Sequence, residues 1–224
     1  MFSAVLASCY YEEDPGPLQY AEQQFGITDF DRLEAGDAMI VTVQYGTVFN
    51  VTAKGDRRNL DDLVVEKRGT TLTVRYRDFD NRRHTTQLHI TMPELRAAIF
   101  SGASNSTLSG VATGDEFSLT LTGASVSQID LDTDDVSLFL SGASNLTISG
   151  ASRHVDADVS GASLLKAYNL NSEDVAVSAS GASNVYVNAS KTLTANASGA
   201  SVILYRGAAT VSSTATGGST VQKD

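Results

Sequence analysis

From about residue 115 to the end, the chain alternates apolar and polar residues in short runs of equal length. The apolar members are Phe117, Leu119, Leu121; Val136, Leu138, Leu140; Val155, Ala157, Val159; Val175, Val177, Ala179; Leu193, Ala195, Ala197; and Val211, Ser213, Ala215. Side chains alternate across a strand, so each run predicts a strand with these residues pointing inward. Ser118 and Thr120, Asp156 and Asp158, or Thr194 and Asn196 then face solvent. Every run closes on one tetrapeptide, at Ser101-Gly102-Ala103-Ser104, Thr122-Gly123-Ala124-Ser125, Ser141-Gly142-Ala143-Ser144, Ser160-Gly161-Ala162-Ser163, Ser180-Gly181-Ala182-Ser183 and Ser198-Gly199-Ala200-Ser201, with a degenerate copy at Thr216-Gly217-Gly218-Ser219. Successive glycines are 21, 19, 19, 20, 18 and 18 residues apart. A second apolar column follows the motif at Leu108, Ile129, Ile148, Val187 and Leu204, with Leu170 displaced in a longer coil.

One such coil cannot bury its own apolar edge. Stacking coils about 4.8 Å apart buries all of them in one core and pairs each backbone with the coils above and below. The pattern therefore predicts an all-β fold, a single-stranded parallel β-helix or solenoid with 18–21 residues per coil. Within the motif, glycine supplies positive φ at a sharp corner, alanine is expected to fit a narrow interior, and the serines bond backbone groups left open by the bend. A phosphate-binding reading would require a following helix and a basic partner, and the sequence offers neither. SGAS-like copies at Ser149-Gly150-Ala151-Ser152 and Ser109-Gly110-Val111-Ala112 are read as a second corner of the coil. Because the core residues shrink from Phe117, Leu119 and Leu121 to Val211, Ser213 and Ala215, the last coil is expected to be the least stable.

Ahead of the array, residues 23–100 read as an all-β section continuous with it. Strands are predicted at Met39–Tyr45, Val48–Ala53, Leu63–Lys67, Leu72–Tyr76 and Gln87–Thr91. Arg68-Gly69-Thr70-Thr71 predicts a hairpin turn, Pro93 ends a strand because it lacks the ladder donor, and no helical period stands out. The chain thus divides into a tether over 1–22, an N-terminal β section over 23–100 and the SGAS-repeat β-helix over 101–224.

Composition narrows the function. Tryptophan is absent and the net charge is −10, which excludes a nucleic-acid partner because phosphate binding needs a basic surface. Arg57, Arg58, Lys67, Arg68, Arg75, Arg77, Arg82 and Arg83 lend the N-terminal section basic character that could meet an anionic surface; a solvated strand face balanced by Asp56, Asp61, Asp62, Asp78 and Asp80 is the simpler reading. The one cysteine, Cys9, rules out an internal disulfide and sits in Leu6-Ala7-Ser8-Cys9, which resembles a bacterial lipobox. Lipidation at Cys9 would make it the sole membrane attachment, with Tyr10 to Tyr20 as tether. Eight residues without a basic one precede it, so either the signal begins upstream of Met1 or Cys9 is an ordinary thiol.

Three kinds of chemistry are candidates. The pairs Asp115-Glu116, Asp134-Asp135, Arg153-His154, Glu173-Asp174 and Lys191-Thr192 precede successive inward strands, so stacking gathers Asp115, Glu116, Asp134 and Asp135 into a calcium candidate. Their spacing matches no calcium loop, and solvated corners also carry charge. Asp156 and Asp158, with Arg153, His154 or Lys166 as helpers, are the best carboxylates for a polysaccharide lyase or hydrolase, since β-helices host such enzymes. Short coils, no long cleft-forming loop and few aromatic rings weigh against it. Outward Ser, Thr and Asn residues, including Asn105, Asn145 and Asn184, suit multivalent contact with a cell-surface glycan or an envelope protein. No cofactor is called for, and His84 and His89 read as surface residues.

The repeated SGAS motifs, Met92-Pro93-Glu94-Leu95 with Phe100-Ser101-Gly102, and the opening segment Phe25 to Val43 resemble the bacterial family called putative auto-transporter adhesin head GIN domain. The resemblance spans nearly all of the chain after the tether and rests on the periodic glycine motif. It implies a right-handed β-helix on an exported or envelope-anchored protein, and adhesion by the family's name; it transfers no catalytic residue. The expectation is a non-enzymatic scaffold or adhesin-like binding module, exported to the periplasm or cell surface as an outer-membrane lipoprotein. A carbohydrate-active enzyme and a structural spacer are the alternatives. Open backbone at the last coil would permit weak end-to-end oligomers.

Overall fold

Each strand of the array has one apolar edge, and the chain satisfies it by stacking strands in two parallel columns. A computed structural model describes residues 16–78, 84–110 and 114–224. The N-terminal elements are β1 (Tyr20–Phe25), β2 (Arg32–Ala35), β3 (Ile40–Tyr45), β4 (Asn50–Asp56), α1 (Arg57–Asp61), β5 (Leu63–Arg68), β6 (Thr71–Tyr76) and β7 (Gln87–Met92). After them come β8 (Ala97–Phe100), β9 (Asn105–Ser109), β10 (Glu116–Leu121), β11 (Val126–Asp132), β12 (Asp135–Leu140), β13 (Asn145–Val159), β14 (Leu164–Ala179), β15 (Asn184–Ala197), β16 (Val202–Arg206), β17 (Thr210–Ala215) and β18 (Thr220–Lys223).

The column before the motif is in continuous register. Leu72, Leu33, Ala98, Leu119, Leu138, Ala157, Val177, Ala195 and Ser213 lie one above another through nine strands. All but Ser213 are buried. In the column after the motif, Ile90, Val43, Leu108, Ile129 and Ile148 stack likewise. One apolar core runs the length of the molecule.

Stack order departs from chain order at the N-terminal end. The β2–β3 coil pairs with β6 and β7 on one side and with β8 and β9 on the other, so residues 32–45 lie between two later coils. Antiparallel strands then close the stack. β4 adds to β7 and β1 to β4 in one column, and β5 folds back on β6 in the other through the turn at Gly69, whose φ is +61°. Antiparallel strands cover the edge that a further parallel coil would otherwise seek. Between β4 and β5 lies α1, a single short helix that the sequence's periodicity does not reveal. Its N-cap is Asp56, buried at 1% exposure, which accepts from the Arg58 and Gln19 amides at 3.0 Å each and from Arg58 Nε at 2.7 Å. Its position corrects the reading of Asp56 as a surface counter-charge: the carboxylate is an interior anchor.

The motif corners differ from expectation in one respect. In every copy from 101 to 201 glycine and alanine are exposed, while the final serine is buried. Alanine stands at the tip of the turn, and strand alternation gives the inward place to the serine. In most copies that serine donates to the carbonyl of the motif's first residue, as Ser125 to Thr122 at 2.9 Å and Ser144 to Ser141 at 2.8 Å. Glycines stack directly. A Cβ added at Gly161 would lie 2.3 Å from the Gly142 carbonyl oxygen, and the Ala162 amide donates to that oxygen at 2.7 Å. The glycine is thus required by both its φ of +75° and the closeness of its neighbour.

Two further corrections concern the second column and the last coil. Leu204 faces outward in register with Tyr186, and the inward place passes to Tyr205, opposite Val187, because buried Ser201 and Ile203 set the alternation. Val211 is half-buried and Ser213 and Ala215 are exposed, since no described strand covers β17. Ser149–Ser152 does form the second corner, with strand pairing kept through it: β13 passes there from the column of β11 to that of β12, with Gly150 at φ +117°. The other proposed copy continues beyond Gly110 into residues outside those described. Hydroxyls secure the second corner: Thr133 donates to the Gly114 carbonyl at 2.5 Å, Ser152 to Asp134 at 2.9 Å and Ser190 to Ser172 at 2.9 Å.

Candidate functional site

Stacking converts the corner pairs into two vertical charge ladders. Glu116, Asp135, His154, Asp174 and Thr192 are in register. His154 Nδ1 lies 2.9 Å from Asp135, its Nε2 3.7 Å from Asp174, and the Thr192 hydroxyl donates to Asp174 at 2.6 Å. Beside it, Arg153 grips Asp134 with two nitrogens and Lys191 pairs with Glu173 at 2.6 Å. Donating to the Asp134 carboxylate raises the Arg153 pKa, and donating to Glu173 raises that of Lys191. Of the calcium candidates, Asp134 and Asp135 are thus engaged by cationic or imidazole groups, and Glu116 stands beside Asp135. Among the described residues no set of three or more His, Cys, Asp or Glu converges as metal ligands would.

Asp156 and Asp158 are exposed on the outward face of β13. Asp156 registers with Ser137 and Ala176, and Asp158 with Phe139 and Ser178, so neither meets a carboxylate on an adjacent coil. Both point from one strand in one direction, about 7 Å apart along it. That spacing is within the range of an inverting glycosidase's two carboxyl groups, but such groups act from opposite sides of the scissile bond, whereas these two share one strand face. Asp156 borders a shallow depression with His154 and Asp174, Asp158 one with Phe139, Ser178 and Asn196, and the two acids share a third, smaller one with Ser118, Ser137 and Phe139.

The outward face of the other column holds a cluster that sequence reading missed. Lys166 on β14, Tyr186 on β15 and Leu204 on β16 are consecutive rungs of one outward row. Between Ala167 and Ser172 the register of β14 against β15 breaks, so residues 168–171 have no partner on β15 and bulge, while 169–171 stay paired with β13 and Leu170 stays buried. The bulge places Tyr168 edge-on to Tyr186, ring centres 5.4 Å apart, and under the Arg206 guanidinium, 4.0 Å from the ring centre. Arg206 Nε in turn donates to Asp224 at 2.8 Å. Burial, with the Asp224 carboxylate nearby, pushes the Tyr168 phenol upward in pKa. Thr147, Leu164, Lys166, Asn169 and these three residues enclose an open cavity of about 400 Å³. One signal was present in the sequence: the 20-residue step from Gly161 to Gly181, followed by 18, leaves residues that the next coil cannot match.

Cys9 lies outside the described residues. His84 and His89 are half-buried in the N-terminal section, His84 Nε2 standing 3.3 Å from the Gly16 carbonyl. No helix among the described residues is long and apolar enough to cross a membrane.

Comparison with known proteins bears on the whole chain. The family model described as "Putative auto-transporter adhesin, head GIN domain" matches residues 29–209. A putative adhesin from Bacteroides fragilis NCTC 9343 superposes with a TM-score of 0.83 at 19% identity, covering 92% of this chain and 97% of that one. A putative adhesin from Parabacteroides distasonis ATCC 8503 gives 0.75 at 19% identity, covering 93% and 98%. A putative lipid binding protein from the same organism gives 0.70 at 16%, covering 92% and 96%. At these identities the likeness shows a shared fold. No curated protein matches the sequence.

Proposed function

We propose, from the premise that the chain belongs to the putative auto-transporter adhesin, head GIN domain family, that it is a non-enzymatic, adhesin-like binding module that holds a glycan at the cell envelope. The observation that carries this reading is the cavity beside Tyr168 and Tyr186. It is the one place among the depressions described above where aromatic rings, amide and hydroxyl groups and cations meet on a rigid sheet face. Sites of 300 Å³ and more, with an apolar floor and a few placed polar groups, are the usual form of a small-ligand site. The contacts among Tyr168, Tyr186 and Arg206 hold the aromatic wall in place before binding, which lowers the ordering cost. Asp156 and Asp158 rise side by side from one strand face instead of from two walls of a cleft, which favours binding over hydrolysis. A lipid on Cys9 would anchor the module at the outer membrane, with a spacer that ends before Gln19 and Tyr20, which are tied to Asp56 and into β1.

The test is retention without turnover. The intact chain, immobilised, is exposed to a panel of glycans with and without calcium, and retained glycans are recovered and sized by mass spectrometry. Retention at unchanged length supports the reading. Shortened products would replace it with the enzyme reading, and no retention by any glycan would leave a structural spacer.

A further inference from the structure

The ligand class can be narrowed from charge. Resting on the binding reading above, we infer that the Tyr168–Tyr186 cavity takes an acidic saccharide, a pyranose whose carboxylate meets Lys166 and whose apolar ring face lies on Tyr186.

Charge is distributed unevenly over the array. Beyond residue 100 the chain has 5 basic and 11 acidic residues. Arg153 and Lys191 are spent on Asp134 and Glu173 in the corner ladder. Two of the remaining three, Lys166 and Arg206, line this cavity, and no carboxylate is among its seven lining residues. Arg206 is paired with a carboxylate too, that of Asp224, and stacks its guanidinium carbon 4.0 Å from the Tyr168 ring centre, so it closes one wall of the cavity while Lys166 supplies the charge. Lys166 is exposed and forms no ion pair with any described residue. On the opposite column Asp135, Asp156, Asp158 and Asp174 make the outward surface anionic. An anion is therefore repelled from one face and drawn to the other.

The remaining features call for a sugar rather than a bare anion. Half-buried Tyr186 presents a ring beside the cavity, and a pyranose has a face of axial C–H bonds that packs on such a ring. Asn169 and Thr147 stand at the rim with donor and acceptor groups for hydroxyls. A phosphate or sulfate alone would use the cations and leave the aromatic floor without a partner.

The test uses the full chain and its intrinsic tyrosine fluorescence, clean because the protein has 8 tyrosines and no tryptophan. Trigalacturonate is titrated against neutral galactotriose, and sialyllactose against lactose; the pairs separate a uronate polymer from a sialylated surface as the source. At least one acidic member should bind at least tenfold tighter than its neutral parent, and weaken as salt rises. Tyr186→Ala and Lys166→Glu should each lower that affinity at least tenfold, Tyr186→Phe should preserve it, and Asp156→Asn on the opposite face should leave it unchanged. Lys166 is exposed, so its variant tests the site even where Tyr186→Ala compromises folding. Equal binding of acidic and neutral members, or indifference to both Lys166→Glu and Tyr186→Ala in folded protein, overturns the inference while leaving glycan binding standing. Absence of binding to every glycan overturns the binding reading and this inference together.

Discussion

Replacing Gly161 by alanine is expected to destabilise the fold by about 3 kcal/mol, much more than the same change at Gly69. Both glycines have positive φ, +75° and +61°, so both alanines bear a left-handed cost of about 1–2 kcal/mol, offset in part by about 0.4–1 kcal/mol from a stiffer unfolded chain. Their surroundings separate them. Around Gly69 nothing lies within 4 Å of the new methyl, whereas at Gly161 it would sit 2.3 Å from the Gly142 oxygen and 3.0 Å from its nitrogen. Relief requires the two coils to part, which strains the 2.7 Å bond from Ala162 N to Gly142 O. A lost bond costs about 1 kcal/mol, and disturbed packing of the coil pair adds a similar amount. Urea unfolding followed by far-ultraviolet circular dichroism reads the difference, expected as a midpoint lower by about 1 M for Gly161→Ala than for Gly69→Ala. Equal midpoints would show that the glycine column answers to turn geometry alone and that the coils are not in direct contact there.

Other outcomes follow from the same geometry. Leu138→Asp places a charge at a site 3% exposed and should abolish folded protein, with a cost of about 4 kcal/mol or more, whereas ending the chain after Gly217 removes mostly exposed residues and should be tolerated; equal loss of soluble protein from both would contradict this. Arg58 holds the Asp56 carboxyl well below the usual carboxylate range, so its contribution is present above the unfolded value near 3.8 and is lost as pH falls below it. Asp56→Asn should therefore cost about 2 kcal/mol at neutral pH and flatten the acid limb of the stability curve, measured by urea unfolding from pH 3 to 7; an unchanged acid limb would refute it. Because Asp134 and Asp135 are engaged by Arg153 and His154, millimolar calcium should move the melting temperature by less than about 1 °C, and a larger rise would identify the corner column as a calcium site.

Legibility in the sequence tracked how repetitive each feature is. Inward columns such as Leu119, Leu138 and Ala157 were readable because every coil repeats them and one pitch buries all of them. The Arg68–Thr71 hairpin was readable from a local turn signal. Placement of residues 32–45 between two later coils was not, since stacking order is settled by which apolar edges meet and leaves no mark along the chain. Asp56 shows the same limit: only the approach of Gln19 and Arg58 turns an apparent surface acid into a buried cap. Alanine and serine exchanged roles in the motif because their composition suits either side of the corner, and strand phase alone decides. At the candidate site the longer coil was visible as a 20-residue step, but its consequence, Tyr168 displaced onto Tyr186 and Arg206, needs three coils to be seen together.

The most direct test of the account is a crystal structure of the intact chain grown with trigalacturonate and, separately, with sialyllactose. A pyranose resting on Tyr186 with its carboxylate against Lys166, its glycosidic bonds intact, is the predicted result. A saccharide seated instead over Asp156 and Asp158, or recovered there as a cleaved product, would contradict it and return the molecule to the enzyme reading.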